Sequence, residues 1–266
     1  MTTATRPVGD QLRHWRQRRR LSQLELAVQA QISTRHLSFV ETGRSHPTAA
    51  MIRRITEELD VPLRERNQLL LAGGYAPSYS QRELAGPELA MILESLRAVL
   101  AGHGPFPALV LNRWWELIDS NPAVDVLVAG CAPELLEPPV NVLRLSLHPA
   151  GLAPRIVNLG QWRARLLQQL QHRIDATGDN RLIELAQELR GYPGDRVGPA
   201  PTGLPVLPLV LRADDRELSF FSMAAAVETA TDVTVSELVL EAFYPADAAT
   251  AAYLHHGITG DRGAAP

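Results

Sequence analysis

Between Gly9 and Leu71 apolar residues recur at helical spacing in five short runs, each bounded by a residue type that starts or stops a helix. Leu12 and Trp15, three apart under a basic outer face, predict a helix from Gly9 to Arg20. Ser22 and Glu25 form an S-x-x-E capping box that opens a second helix through Leu24, Leu26, Ala27 and Val28 to about Ala30. Ser33 is placed to cap a third helix carrying Leu37 and Val40, which Gly43 ends. Pro47 and Thr48 precede a fourth around Met51, Ile52, Ile55 and Leu59, and Pro62 opens a fifth through Leu69, Leu70 and Leu71 before Gly73-Gly74. Five such helices, each with one apolar stripe, pack into one small bundle.

Beyond it the pattern changes. Ala76 to Ser80 reads as a linker, and Leu89, Ile92, Leu93, Leu96 and Leu100 predict a connecting helix from Pro87 to Ala101 that also offers a face to a dimer partner. Ala108–Leu111 and Trp114–Ile118 read as two strands about a tight turn at Asn112-Arg113. Residues 121–145 and 159–190 read as helical, the latter divided at Gly178-Asp179. Three β-rich runs follow, Leu207–Arg212, Leu218–Ala226 and Val235–Tyr244, with Asp214-Asp215 joining the first two. The expected fold class is α+β: a five-helix bundle, then a mixed domain built on an antiparallel sheet with inserted helices. The expected division is residues 1–75 for the bundle, 76–102 for linker and connecting helix, 103–258 for the mixed domain and 259–266 for a flexible tail.

Length and composition agree with two soluble domains: 266 residues, 45% hydrophobic and 21% charged. No apolar run reaches the roughly 18 residues of a membrane span, and Met1 to Asp10 lacks a signal core, so a cytoplasmic protein without membrane contact is expected. The single cysteine, Cys131, excludes an internal disulfide and a multi-thiolate zinc site, and reads as a small buried hydrophobe. Charge separates by region. Residues 1–75 hold 12 arginines against 7 acids, and residues 76–266 hold 14 against 22, so the basic segment is the one expected to meet phosphate.

Two helices that cross steeply need a small residue in the first where the second passes close above it, and Ala27 stands there. Four residues on, the turn prefers a residue tolerant of left-handed backbone. Gln31 occupies that place, where glycine is easiest and another residue costs about 1 kcal/mol. Leu37 and Val40 then hold the second helix of a helix-turn-helix. With Leu21-Ser22-Gln23-Leu24-Glu25-Leu26-Ala27 and the stretch from Ser33 to Arg44, the segment from about residue 8 to 72 resembles the Xre, or lambda-repressor-like, class of transcription regulators. Taken with Trp114-Trp115 and Asn121-Pro122 downstream, the chain resembles regulators that carry a MmyB-like ligand-binding domain. That likeness implies a PAS-like sensor holding a fatty-acid-like molecule.

By the first resemblance Gln23 contacts phosphate and orients its helix, while Thr34, Arg35 and Ser38 face the groove. Arg35 suits bidentate bonding to guanine O6 and N7, worth roughly 1–3 kcal/mol of discrimination, and Thr34 and Ser38 suit bases or a thymine methyl, with His36 assisting. Arg44, and Arg13 or Arg16 on the first helix, are expected to hold phosphates, fixing register without reading sequence. Double-stranded operator DNA is the expected partner, bound by a homodimer that reads two half-sites about 34 Å apart. A helical bundle for protein contacts with solvated arginines is the plainer alternative, and the agreement of cap, spacing and charge weighs against it.

In the second domain a cavity between sheet and helices is expected to take a small apolar effector, with Trp114, Trp115, Phe220, Phe221 and Met223 the candidates to line it. Aromatic residues on strands are more often plain core, and neighbours such as Trp114 and Trp115 face opposite sides. The alternative is a constitutive DNA binder whose second domain serves only dimerisation or protein contacts. No enzyme is expected. The eight histidines form no nucleophile, base and orienter set, and adjacent His255-His256 lack the spacing of a metal pair. Asp214-Asp215 reads as a turn, and no glycine-rich phosphate loop is present, so no metal or cofactor is required.

Overall fold

The computed structural model describes residues 6–194 and 205–260, which divide into two compact units. The first holds the chain up to Arg82 with the short stretches 173–178 and 229–236. Its helices are α1 (Val8–Arg18), α2 (Gln23–Gln29), α3 (Thr34–Glu41), α4 (Ala49–Glu58) and α5 (Leu63–Ala72). Local capping sets where they begin. The Ser22 hydroxyl accepts the Glu25 N–H at 3.2 Å while the Glu25 carboxylate takes the Ser22 N–H at 2.7 Å, and Ser33 and Thr48 cap α3 and α4 through the N–H groups of His36 and Met51. All five helices end alike, on a left-handed residue: Arg20, Gln31, Gly43, Asp60 and Gly74. The next N–H then reaches back along the chain to close the last turn, Leu21 to the Arg16 carbonyl, Ile32 to Ala27, Arg44 to Phe39, Val61 to Thr56 and Tyr75 to Leu70. Leu12, Leu26, Leu37, Ile52 and Leu70, one from each helix, are each 0% exposed at the centre. Truncating such a leucine to alanine costs about 2–5 kcal/mol. At Gly9, α1 passes so close to α3 that an added Cβ would stand 2.1 Å from the Val40 carbonyl oxygen.

In the second unit α6 (Ala90–Gly102) leads into a sheet of β1 (Ala108–Leu111), β2 (Leu117–Ser120), β3 (Leu209–Ala213), β4 (Arg216–Ala226) and β5 (Val239–Pro245). Among the described residues the strand order is β2-β1-β5-β4-β3, every pair antiparallel. Between β2 and β3 in the chain lie α7 (Asp125–Val128), α8 (Val142–Leu147), α9 (Leu159–Thr177), whose last turn from Arg173 belongs to the first unit, and α10 (Asn180–Gly191); α11 (Val233–Ser236), also of the first unit, precedes β5 and α12 (Ala248–Gly260) follows it. Pairing register assigns the faces. Ala108, Val110 and Ala242 share one face and pack with Leu100 of α6, whereas Leu109, Leu209, Phe220 and Phe243 share the other. The fold class is α+β.

Several expected elements are displaced, each for a local reason. The second strand begins at Leu117, not Trp114, because Asn112 folds the intervening residues into a turn: its Oδ1 accepts from the N–H of Trp114 at 2.9 Å and of Glu116 at 3.0 Å. The helix expected over 121–145 is broken into α7, the start of α8 and 3-10 turns at Pro122–Val124 and Pro133–Leu135, since Pro133, Pro138 and Pro139 cannot continue one. The last strand begins at Val239, not Val235, because Asp232 caps α11 by accepting the Thr234 N–H at 2.9 Å. In the first unit Asp232 also accepts the Arg82 N–H at 3.2 Å and its guanidinium at 3.1 Å. Of the tail expected at 259–266, residues 259 and 260 close α12 and 261–266 lie outside the described residues.

Candidate nucleic-acid interface and ligand cavity

A helix presents residues three and four apart on one face, so α3 turns Leu37 and Val40 inward and Thr34, Arg35 and Ser38 away from the core. Arg35 is exposed, its guanidinium lying over the Phe39 ring 5.3 Å from the centroid, which limits its rotamers before any partner arrives. His36 is half-buried, and Arg44 and Arg13 are exposed on the loop after α3 and on α1. His14 of α1 is held below the ordinary histidine value, first by burial and then by the charges of Arg18 and Arg6.

Arg16 requires a correction: it is not free for phosphate. Its Nε and Nη2 each donate at 2.7 Å to the Glu41 carboxylate, buried at the end of α3, and its Nη1 donates to the Leu21 carbonyl at 2.8 Å. Gln23 joins the same carboxylate through its Nε2 at 2.8 Å. Three helices therefore meet on one buried anion: α1 through Arg16, α2 through Gln23 and α3 through Glu41. This arrangement suits Gln23 to orienting the helix. Periodicity conceals such a pairing, because its partners stand 25 residues apart.

The second unit holds a partly open cavity of about 240 Å³ between the Leu109 face of the sheet and the segments α7 to α9. Its walls are mainly aliphatic, from Leu109 and Leu209 on strands to Leu143, Leu145 and Leu166 on helices. Trp115 lines it, turned inward by a left-handed backbone at φ 59°, and Phe243 lines it from β5. Trp162 of α9 lines it too, its indole N–H donating to the Ser146 hydroxyl at 3.0 Å. The carboxyl of Glu241 also faces this space from β5, where burial pushes it above the usual carboxylate range against the lesser pull of the Ser222 hydroxyl and Arg165. An open groove of about 520 Å³ elsewhere on this unit carries Arg155, but that guanidinium is spent on the carbonyls of Val126, Leu127, Ala129 and Arg212.

A family model described as MmyB-like transcription regulator ligand binding domain matches residues 92–256, more than half of the chain, and one described as helix-turn-helix domain matches residues 7–69. The chain belongs to this MmyB-like family. No curated protein matches it. The two domains are those of a DNA-binding transcription regulator, and the cavity lies wholly within the matched ligand-binding segment.

Of the five side chains expected to line a cavity in this MmyB-like regulator, Trp115 alone does so among the described residues. Trp114 points elsewhere, its indole N–H donating to Asp179 at 2.8 Å and its ring lying under Arg181 at 4.2 Å. Phe220 is on the cavity face but sealed into the core edge-on to Phe243, so it supports the wall without reaching the space. Phe221 and Met223 sit on the opposite face by strand alternation; Phe221 stacks on Tyr244 and Met223 is exposed. Glu241 and Trp162 were missed, though Val239, Glu241 and Phe243 share one face at spacing two. Elsewhere His255 stands edge-on to Phe106, and Asp214-Asp215 form the β3–β4 turn. Among the described residues no helix is long and apolar enough to cross a membrane, and no cluster of His, Cys, Asp and Glu is gathered as metal ligands.

Proposed function

We propose that this regulator binds operator DNA as a homodimer of the Xre type and that a small apolar molecule held in the cavity of its PAS-like second domain controls that binding. The observation that carries the reading is the partly open, mostly aliphatic cavity inside the segment matched as ligand-binding, in a chain whose other matched domain is a helix-turn-helix. On the DNA side Thr34, Arg35 and Ser38 read bases while Arg44 and Arg13 hold phosphates, Gln23 orients α2 and α3, and His36 assists. An antiparallel sheet with its helices inserted between the second and third strands supports the PAS-like reading. The aliphatic walls suit the acyl body of a fatty-acid-like effector. For the homodimer, α6 supplies support: Met91 and Val99 stand 78% and 53% exposed, eight residues apart on one side of an apolar helix.

The test begins with an operator selected from random duplex DNA. The purified chain is then compared before and after denaturing extraction by mass spectrometry. A stoichiometric apolar molecule released on unfolding, whose removal changes operator affinity, is the expected result. No released molecule, together with operator affinity that no cell extract alters, would leave the constitutive reading in its place.

A further inference from the structure

We infer that the cavity takes an acyl tail of about ten carbons, end first, and leaves the polar head at its mouth, so that tail length selects the effector. This rests on the cavity being the effector site. Polar and apolar groups are divided along the lining, and the division sets the direction of entry. Among the described residues Asp125, Leu136 and Gln169 are the exposed members of the lining and mark its open end. Glu241 is half-buried, and Arg165, exposed one turn before Gln169 on α9, acts on it through space. Leu109, Leu143, Leu145, Leu152, Leu209 and Phe243 belong to the buried part. There the polar side-chain groups are the Trp162 indole N–H and the Ser146 hydroxyl, bonded to each other at 3.0 Å.

A carboxylate or hydroxyl carried inward would exchange water for walls that offer it little, at the cost of desolvation. At the mouth it keeps its hydration. An apolar tail has no such cost, and each methylene withdrawn from water adds to affinity. The volume then sets the length. A cavity of about 150 Å³ with leucine, isoleucine and phenylalanine walls accepts benzene, roughly 25 Å³ for each carbon. At that density the space of about 240 Å³ holds about ten carbons. Close-packed walls yield little, so the further carbons of a longer tail stay in water.

A ladder of straight-chain carboxylates tests this: hexanoate, octanoate, decanoate, dodecanoate and tetradecanoate, each below its micelle concentration, titrated calorimetrically into the full chain. Affinity should rise roughly fourfold for each added methylene up to decanoate and then level. N-decanoylglycine, which keeps the tail and the charge and enlarges the head, should bind as tightly as decanoate. Leu143→Ala, which takes Cγ and both Cδ atoms out of the wall, should carry the rise on past dodecanoate. A rise that continues unbroken to tetradecanoate in the unaltered chain, or a levelling point that a folded Leu143→Ala leaves in place, would overturn the length. Failure of N-decanoylglycine to bind would overturn the direction of entry. Each of these leaves the cavity as the effector site, whereas binding of no member of the ladder would remove that site and this inference with it. The ladder in the unaltered chain is decisive by itself if Leu143→Ala fails to fold.

Discussion

At position 31 the backbone turns left-handed, φ 52°, to let α2 end and α3 begin, and the residue that must do so is an exposed glutamine with a Cβ. The strain is local and removable. Gln31→Gly should raise the stability of the head by about 1 kcal/mol, less than the full left-handed penalty because glycine also gains freedom in the unfolded chain. Urea-induced unfolding measures it, and an unchanged or lowered midpoint would show that the turn stores no strain. Glu241 carries a different kind of cost. Its folded pKa is raised by burial, so it favours folding below the ordinary glutamate value of 4.5 and opposes folding progressively as pH rises through the folded value. Removing the ionisation should therefore help most at higher pH. Glu241→Gln is expected to melt above the unaltered chain at pH 8 and to lose that advantage towards pH 4, with Ser222, Asp125 and Arg165 the polar and charged groups around it that temper the size. A difference independent of pH would mean that the carboxyl is solvated.

Among elements, α1, α2 and α3 are tied by packing and by the Arg16–Glu41–Gln23 cluster. Glu41→Ala leaves a buried guanidinium with no counterion and should cost roughly 3–5 kcal/mol, whereas replacing Arg16 and Glu41 together by apolar residues of similar volume should recover most of that loss. Denaturant titration of the single and paired variants decides the point; equal losses in both would show that side-chain volume, not charge, is what matters there. The cluster also marks the limit of reading elements from sequence. Helix starts were legible because Ser22, Ser33 and Thr48 act on N–H groups within three residues of themselves. The left-handed stops were legible at Gly43 and Gly74 by residue type and at Gln31 by its place in the motif, but not at Arg20, whose type gives no such sign, and the mild left-handed tendency of aspartate at Asp60 was passed over. Strand runs were found while their ends were misplaced, since Asn112 and Asp232 redirect the backbone by side-chain bonds that hydrophobic pattern does not register. The cavity was foreseen as a kind of site, but its lining depends on which helix covers which sheet face, so Trp162 and Glu241 were out of reach.

For the whole molecule the division of charge is the controlling quantity. A surplus of arginine in residues 1–75 and a surplus of acid in residues 76–266 confine attraction for phosphate to the head and make the rest of the chain repel DNA, so non-specific binding should engage few phosphates. Arg35 and Arg44 then separate by what they do to the salt dependence. Arg35 is expected at a base edge, so Arg35→Ala should flatten base preference at one position of each half-site and leave the slope of log affinity against log salt almost unchanged. Arg44 is expected at phosphate, so Arg44→Ala should weaken all sequences alike and reduce that slope by about 0.9 for each phosphate no longer neutralised. The second number also counts protomers. A homodimer on a two-half-site operator gives up one arginine–phosphate pair per subunit, about 1.8 in all, against about 0.9 for one head on a half-site. Filter-binding titrations from low to high salt on both duplexes give the two slopes directly. A change near 0.9 on both would place a single head on the operator and refute the homodimer, and a change near zero on both would remove Arg44 from the phosphate-binding set and return the basic surface to solvent.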